Sequence, residues 1–183
     1  MNDDARAVLD WWFGVLPASK RFARDAAVDA EIAARFGAIH AQLAQTVPDD
    51  WRTDARAMLA AIIVLDQFSR NLFRDNPRAF ANDTAARALT ETVIANGWDT
   101  GLSSEERQFL YMPLMHSEQR ADVERCVVLM TAAGSEGGAE FARKHAATIA
   151  RFGRYPARNA ALGRATTPEE AALLRENPAG FVG

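Results

Sequence analysis

Apolar residues recur along this chain at steps of three and four, and that spacing constrains its fold more than any other feature. In Val28, Ile32, Phe36, Ile39 and Leu43 the steps are 4, 4, 3 and 4, which places all five side chains on one face of an α-helix. Comparable stripes are Ala5, Val8, Leu9 and Trp12; Met58, Ile62, Leu65, Phe68 and Leu72; Leu89 and Val93; Val123, Cys126, Val127 and Met130; and Phe141, His145, Ile149 and Phe152. No segment alternates polar and apolar residues strictly enough to predict a strand.

The breakers fall between the stripes. Gly14, Pro17, Pro48 and Pro77 separate the early ones. Gly97 is expected to cap the helix around Val93, and Pro113 to kink or end one that opens with a capping box, Ser103 with Glu106. Thr167, Pro168 and Glu170 read as N-cap, first and third positions of a last short helix. The expected fold is therefore all-α: one domain over residues 1–183, an array of roughly eight antiparallel helices with short joints. No repeat with a period of about 34 residues is legible.

Apolar residues at 49% and charged residues at 25% exclude a disordered chain. Cys126 is the sole cysteine, so there is no disulfide framework. The N-terminal MNDDARAVLDWW is acidic where a secretory leader is basic. The longest apolar run, Ala57 to Leu65, is too short to span a bilayer. The expected location is cytoplasmic, away from membranes. All basic residues but Lys20 and Lys144 are arginines, which GC-rich codon usage explains. A net charge of −3 argues against a nucleic-acid partner.

Charge is nevertheless unevenly placed. From Phe141 to Pro168 there is no Asp or Glu, while Arg143, Lys144, Arg151, Arg154, Arg158 and Arg164 fall inside that stretch. Such a block needs anionic partners, either protein carboxylates or a bound ligand. Within RFGRYPARNAALGR, Pro156 is expected to start a short helical turn that Gly163 ends. Arg158 and Asn159 then lie in its first turn, where backbone N–H groups favour an anion. Arginine forks bind carboxylate or phosphate through two parallel bonds. A buried Arg/Asn network pairing with Asp66 and Glu118 would satisfy the same residues.

Other polar side chains interrupt the apolar faces. Ile62, Asp66 and Arg70 are four apart, acid before base, and Gln67, Asn71 and Arg74 continue on the neighbouring face. A structural polar network and a ligand site both fit that patch. His145, between Phe141 and Ile149, reads as a packing residue, and His40 as a surface residue on an ordinary amphipathic helix. His116 and Glu118 lie near the start of a helix with Ser117 as its expected N-cap. No HExxH pattern or Cys/His cluster accompanies them, so no metal site is expected. An Arg-Asn pair occurs in both LDQFSRNLFR and YPARNAALGR, and the two are expected to converge on one pocket.

LDQFSRNLFR, FLYMPLMHSE and RFGRYPARNAALGR resemble the signature blocks of the domain of unknown function 924 family, and VLDWWFG is similar to that family's opening. The likeness runs from about residue 8 to about residue 175. It implies an all-α fold of tetratricopeptide-like superhelical type and carries no activity, hence no catalytic residues. Two positions depart from it. Ala157 stands where the last block has a histidine, and Gln119 with Arg120 follow HSE where an acid is usual. A mechanism resting on that missing imidazole cannot operate in this chain.

The leading expectation is a binding protein without a cofactor. Its polar pocket would be lined by Asp66, Arg70, Asn71, His116, Glu118, His145, Arg154, Arg158 and Asn159, and would hold a small anion, a carboxylate-bearing metabolite or an acidic peptide end. One alternative is a small hydrolase or transferase in which His116 or His145 is the general base, oriented by Glu118 or Asp66. Another is a protein–protein interaction scaffold with an exposed apolar groove using Trp11, Trp12 or Trp51.

Overall fold

The structure, a computed structural model, describes residues 1–182. Among the described residues every regular element is a helix, and no strand occurs. The helices are α1 (Asp3–Leu9), α2 (Ala26–Leu43), α3 (Ala55–Ile62), α4 (Ser69–Leu72), α5 (Asp83–Ala95), α6 (Ser104–Met115), α7 (Arg120–Ala132), α8 (Glu136–Phe152) and α9 (Pro168–Glu176). A π-helical stretch, Ile63–Phe68, joins α3 to α4 without a break. Counting residues 55–72 as one helix leaves eight, the number the periodicity predicts. None of the described helices is long and apolar enough to cross a membrane.

Short polar side chains start these helices by accepting their orphan N–H groups. Asn2 accepts from Ala5 at 2.7 Å, and Asp25 from Ala27 and Val28 at 2.9 and 3.3 Å. Asp54 accepts from Arg56 and Ala57 at 3.0 and 2.9 Å. Thr167 and Glu170 form the expected capping box, with Pro168 at the first position of α9. Gly97 and Gly153 end α5 and α8 in the left-handed conformation, φ +67° and +68°, which only glycine adopts at little cost. Pro113 lies in α6, which ends two residues later at Met115.

The chain divides into two compact units, residues 1–74 with 78–103 and residues 75–77 with 104 onward. In the first, α3 packs against α1 and α5, and α2 against α4. Its centre is aromatic: Phe36 stacks on Phe68 at 5.2 Å between ring centroids, and Trp12 meets Phe68 edge-on at 5.6 Å. Trp11, Trp12 and Trp51 are all buried, so they do not form the exposed groove expected of a scaffold. In the second unit, α7 packs on α6 and turns back through Ala133–Ser135 onto α8. Val123, Ile149 and Tyr155 form an apolar cluster there, with Ala146 and Phe181 packed against it. Phe141 is 56% exposed, so the inward face of α8 runs through Ala142, His145 and Ile149 instead.

Candidate functional site

The polar residues that the sequence singles out belong to two sets, one in each unit. Asp66, Arg70 and Asn71 are in the first; His116, Glu118, His145, Arg154, Arg158 and Asn159 are in the second.

The first set rests on the π-helical stretch. Its wider turn accommodates the consecutive polar residues Asp66 and Gln67 in buried positions, 1% and 7% exposed. Asp66 accepts from Gln67 and pairs with Arg70, whose Nη1 lies 3.0 Å from Oδ1. Arg70 Nη1 also donates to the Asp66 carbonyl at 2.7 Å, and Nη2 reaches Asp83 at 3.1 Å. The acid–base spacing legible in the sequence thus joins a buried carboxylate to a half-buried guanidinium rather than two solvated groups. Asn71 and Arg74 both donate to Asp29, at 2.8 Å and 2.7 Å. Here carboxylates of the protein supply the acceptors.

His40 is a correction. It is 5% exposed, with Nε2 2.8 Å from Ser69 Oγ. Ser69 Oγ donates to the Leu65 carbonyl at 2.6 Å and accepts from Asn82, so His40 Nε2 carries the proton and donates. Burial, with the charge of Arg78 added, holds the His40 pKa below its ordinary value.

In the second unit Glu118 is the hub. Arg164 grips it with both ends of its fork, at 2.8 and 3.0 Å, and the Tyr155 N–H donates to it at 2.8 Å. Burial alone would raise the Glu118 pKa, but the Arg164 and Tyr155 bonds and the charges of Arg164 and Arg158 hold it below the ordinary value. Arg164 Nε donates to Asn159 Oδ1 at 3.0 Å, and Asn159 Nδ2 reaches Glu170 at 3.1 Å. Arg154 holds Glu170 by two bonds, 2.6 and 2.9 Å. Two carboxylates and two guanidiniums therefore wire the α6–α7 joint to the RYPARN segment and to α9. Ser117 does not cap α7, whose N-cap is Gln119; it accepts from the Gln119 N–H and donates to Asp122 at 2.6 Å.

The turn after Pro156 is a single 3-10 turn, Pro156–Arg158. The N–H groups of Arg158 and Asn159 bond to the carbonyls of Tyr155 and Pro156 at 3.0 Å each, so those amides are not directed at an anion. Arg158 Nη2 donates to the His116 carbonyl at 2.9 Å, and its guanidinium lies 4.7 Å from the centre of the Tyr155 ring.

His116 and His145 are brought together, with ring centroids 6.1 Å apart, 9% and 8% exposed. His145 Nδ1 is 2.7 Å from the Phe141 carbonyl, which can only accept, so the proton of the neutral ring is on Nδ1 and the lone pair on Nε2. Tyr155 stands edge-on to His145 at 5.4 Å. Glu118, expected to orient a histidine, instead directs both oxygens to Arg164. The orienting group is a main-chain carbonyl, which sequence spacing does not mark.

Three residues central to this network were not among the expected site residues. Arg164 lies inside the positive block, Glu170 is legible only as a capping residue, and Tyr155 has no mark beyond its place in RFGRYPARNAALGR. Cys126 offers no nucleophile, because burial pushes its thiol up to about 12.

The family model DUF924, described as a bacterial protein of unknown function, matches residues 8–178. A solved structure of a protein of unknown function, ATU0120 from Agrobacterium tumefaciens, is similar, with 36% identity over 94% of this chain and 97% of that one, at a TM-score of 0.89. No curated protein matches.

Proposed function

The chain belongs to the DUF924 family of bacterial proteins of unknown function, and from its own geometry we propose that the second unit binds a small carboxylate-bearing molecule or acidic peptide end beside His116, His145 and Arg158. The observation that carries this reading is the pair of buried imidazoles 6.1 Å apart, next to a guanidinium laid over Tyr155. Two buried imidazoles this close make a site whose charge a ligand can set. A carboxylate entering there favours protonated imidazole and takes hydrogen bonds from it. Arg154 and Arg164 hold Glu170 and Glu118 by ion pairs in the same unit. Asp66, Arg70 and Asn71 hold the first unit together in the same manner.

Thermal-shift and calorimetric screening with mono- and dicarboxylates tests this. Stabilisation by a hit should grow with its concentration. It should vanish in Arg158→Ala and persist in Arg151→Ala, which removes a surface pair with Glu169. Equal stabilisation of both variants by every hit would remove the proposal.

A second reading, a general base in a small hydrolase or transferase, is favoured by one feature, the His145 tautomer with its lone pair on Nε2. An activity lost in His145→Gln with the fold intact would support it.

A further inference from the structure

The segment after α9 turns back over His145. Phe181 lies against His145 with ring centroids 4.2 Å apart, planes tilted by 41°, while its other side packs on the Val123, Ile149 and Tyr155 cluster. It remains half-buried. The turn holding it is built within the segment: Asn177 Oδ1 accepts from Ala179, the Asn177 carbonyl from Gly180, and Asn177 Nδ2 donates to the Phe181 carbonyl at 2.9 Å. Among the described residues, the one hydrogen bond from residues 178–182 to the helices beneath is Val182 N–H to Thr148 Oγ, 3.0 Å.

Gly180 makes this closure possible. Its φ is +76°, and a Cβ there would sit 2.9 Å from Ala157 Cβ and 3.2 Å from Ala157 N. Those are a short side chain and backbone, neither of which can swing away.

We propose that the face of His145 is an aryl-binding subsite that this chain fills with its own Phe181, and that the ligand of the site carries an aromatic ring on a short peptide-like chain. The proposal rests on reading the His145 region as a ligand site and adds the second feature of the ligand. The self-made turn leaves as a unit, breaking among the described residues one hydrogen bond to the helices beneath and freeing a ring-sized place. A ligand ring takes the same place against His145 and the Val123, Ile149 and Tyr155 cluster, and its chain N–H takes Thr148 Oγ1.

Two full-length variants open the subsite from different sides. Phe181→Ala removes the ring, and Gly180→Val drives the turn off Ala157. The readout is the rate of diethyl pyrocarbonate modification at each histidine, measured by peptide mass spectrometry. His145 should react at least tenfold faster in both variants, with His40 unchanged as the control for general loosening. Adding the hexapeptide Asn-Pro-Ala-Gly-Phe-Val to Gly180→Val should restore protection saturably, and the same peptide with alanine for phenylalanine should not. An unchanged His145 rate in both variants, a parallel rise at His40, or equal protection by the alanine peptide would each overturn the proposal. The readout needs no carboxylate, so carboxylate binding can fail while the subsite stands, and the reverse.

Discussion

Arg164 clamps Glu118 through both carboxylate oxygens, at 2.8 and 3.0 Å, across 46 residues of sequence. The two side chains are 22% and 26% exposed, so the pair is partly withdrawn from water and joins the helix end after α6 to the segment before α9.

Removing one partner strands the other. Arg164→Ala should cost roughly 2–3 kcal/mol, since hydrogen bonds to a charged group are among the stronger ones and Glu118 would keep its burial without its fork. Arg164→Lys should recover only part, because an ammonium cannot make two parallel bonds. Chemical denaturation of the three proteins decides this; a full recovery by lysine would show that charge alone matters here.

Glu170 sets an acid limit. Its bonds to Arg154 first, and then those from Thr167, overcome the opposing effect of burial and bring its pKa down to about 2. In the unfolded chain a glutamate titrates near ~4.3. The folded value is the lower one, so the stabilisation is present above about pH 4.3 and is lost as pH falls towards 2. Glu170→Gln should lower stability at neutral pH and flatten the loss between about pH 4.5 and 2.5. Urea midpoints across that range should show the slope; an unchanged slope would sink the claim.

His40 acts in the neutral range with the same sign. Its folded pKa lies below that of an unfolded histidine, about 6.5, because burial and then Arg78 disfavour the charged ring. The unfolded state therefore takes up the proton first, and stability declines as pH drops through about 6.5 towards the folded value. His40→Gln can still donate to Ser69 but cannot titrate. The melting temperature of wild type minus variant should fall between pH 7.5 and 5; a constant difference would refute the assignment.

Much of this was legible beforehand. The stripe from Met58 to Leu72 marks its helix because a side-chain repeat of 3.6 residues is written in one dimension. Thr167, Pro168 and Glu170 mark the start of α9 because capping acts over three residues. Asp66 and Arg70 were legible as a pair for the same reason. The π-helical stretch that carries Asp66 was not, since nothing in the apolar spacing of Ile63 to Phe68 distinguishes a wider turn from a regular one.

The sequence by itself determined the all-helical class, helix ends with a local signal such as Thr167 and Gly97, and the need of the arginine block for anionic partners, because periodicity, capping and charge balance are local quantities. Only the tertiary structure decided which anions those are. Glu118 answers Arg164 and Glu170 answers Arg154 because packing brings them within bonding distance, and separation along the chain carries no trace of that approach. The same packing buried His40, set His116 beside His145 and laid Phe181 over the latter, since a side chain's environment is made by neighbours distant in sequence.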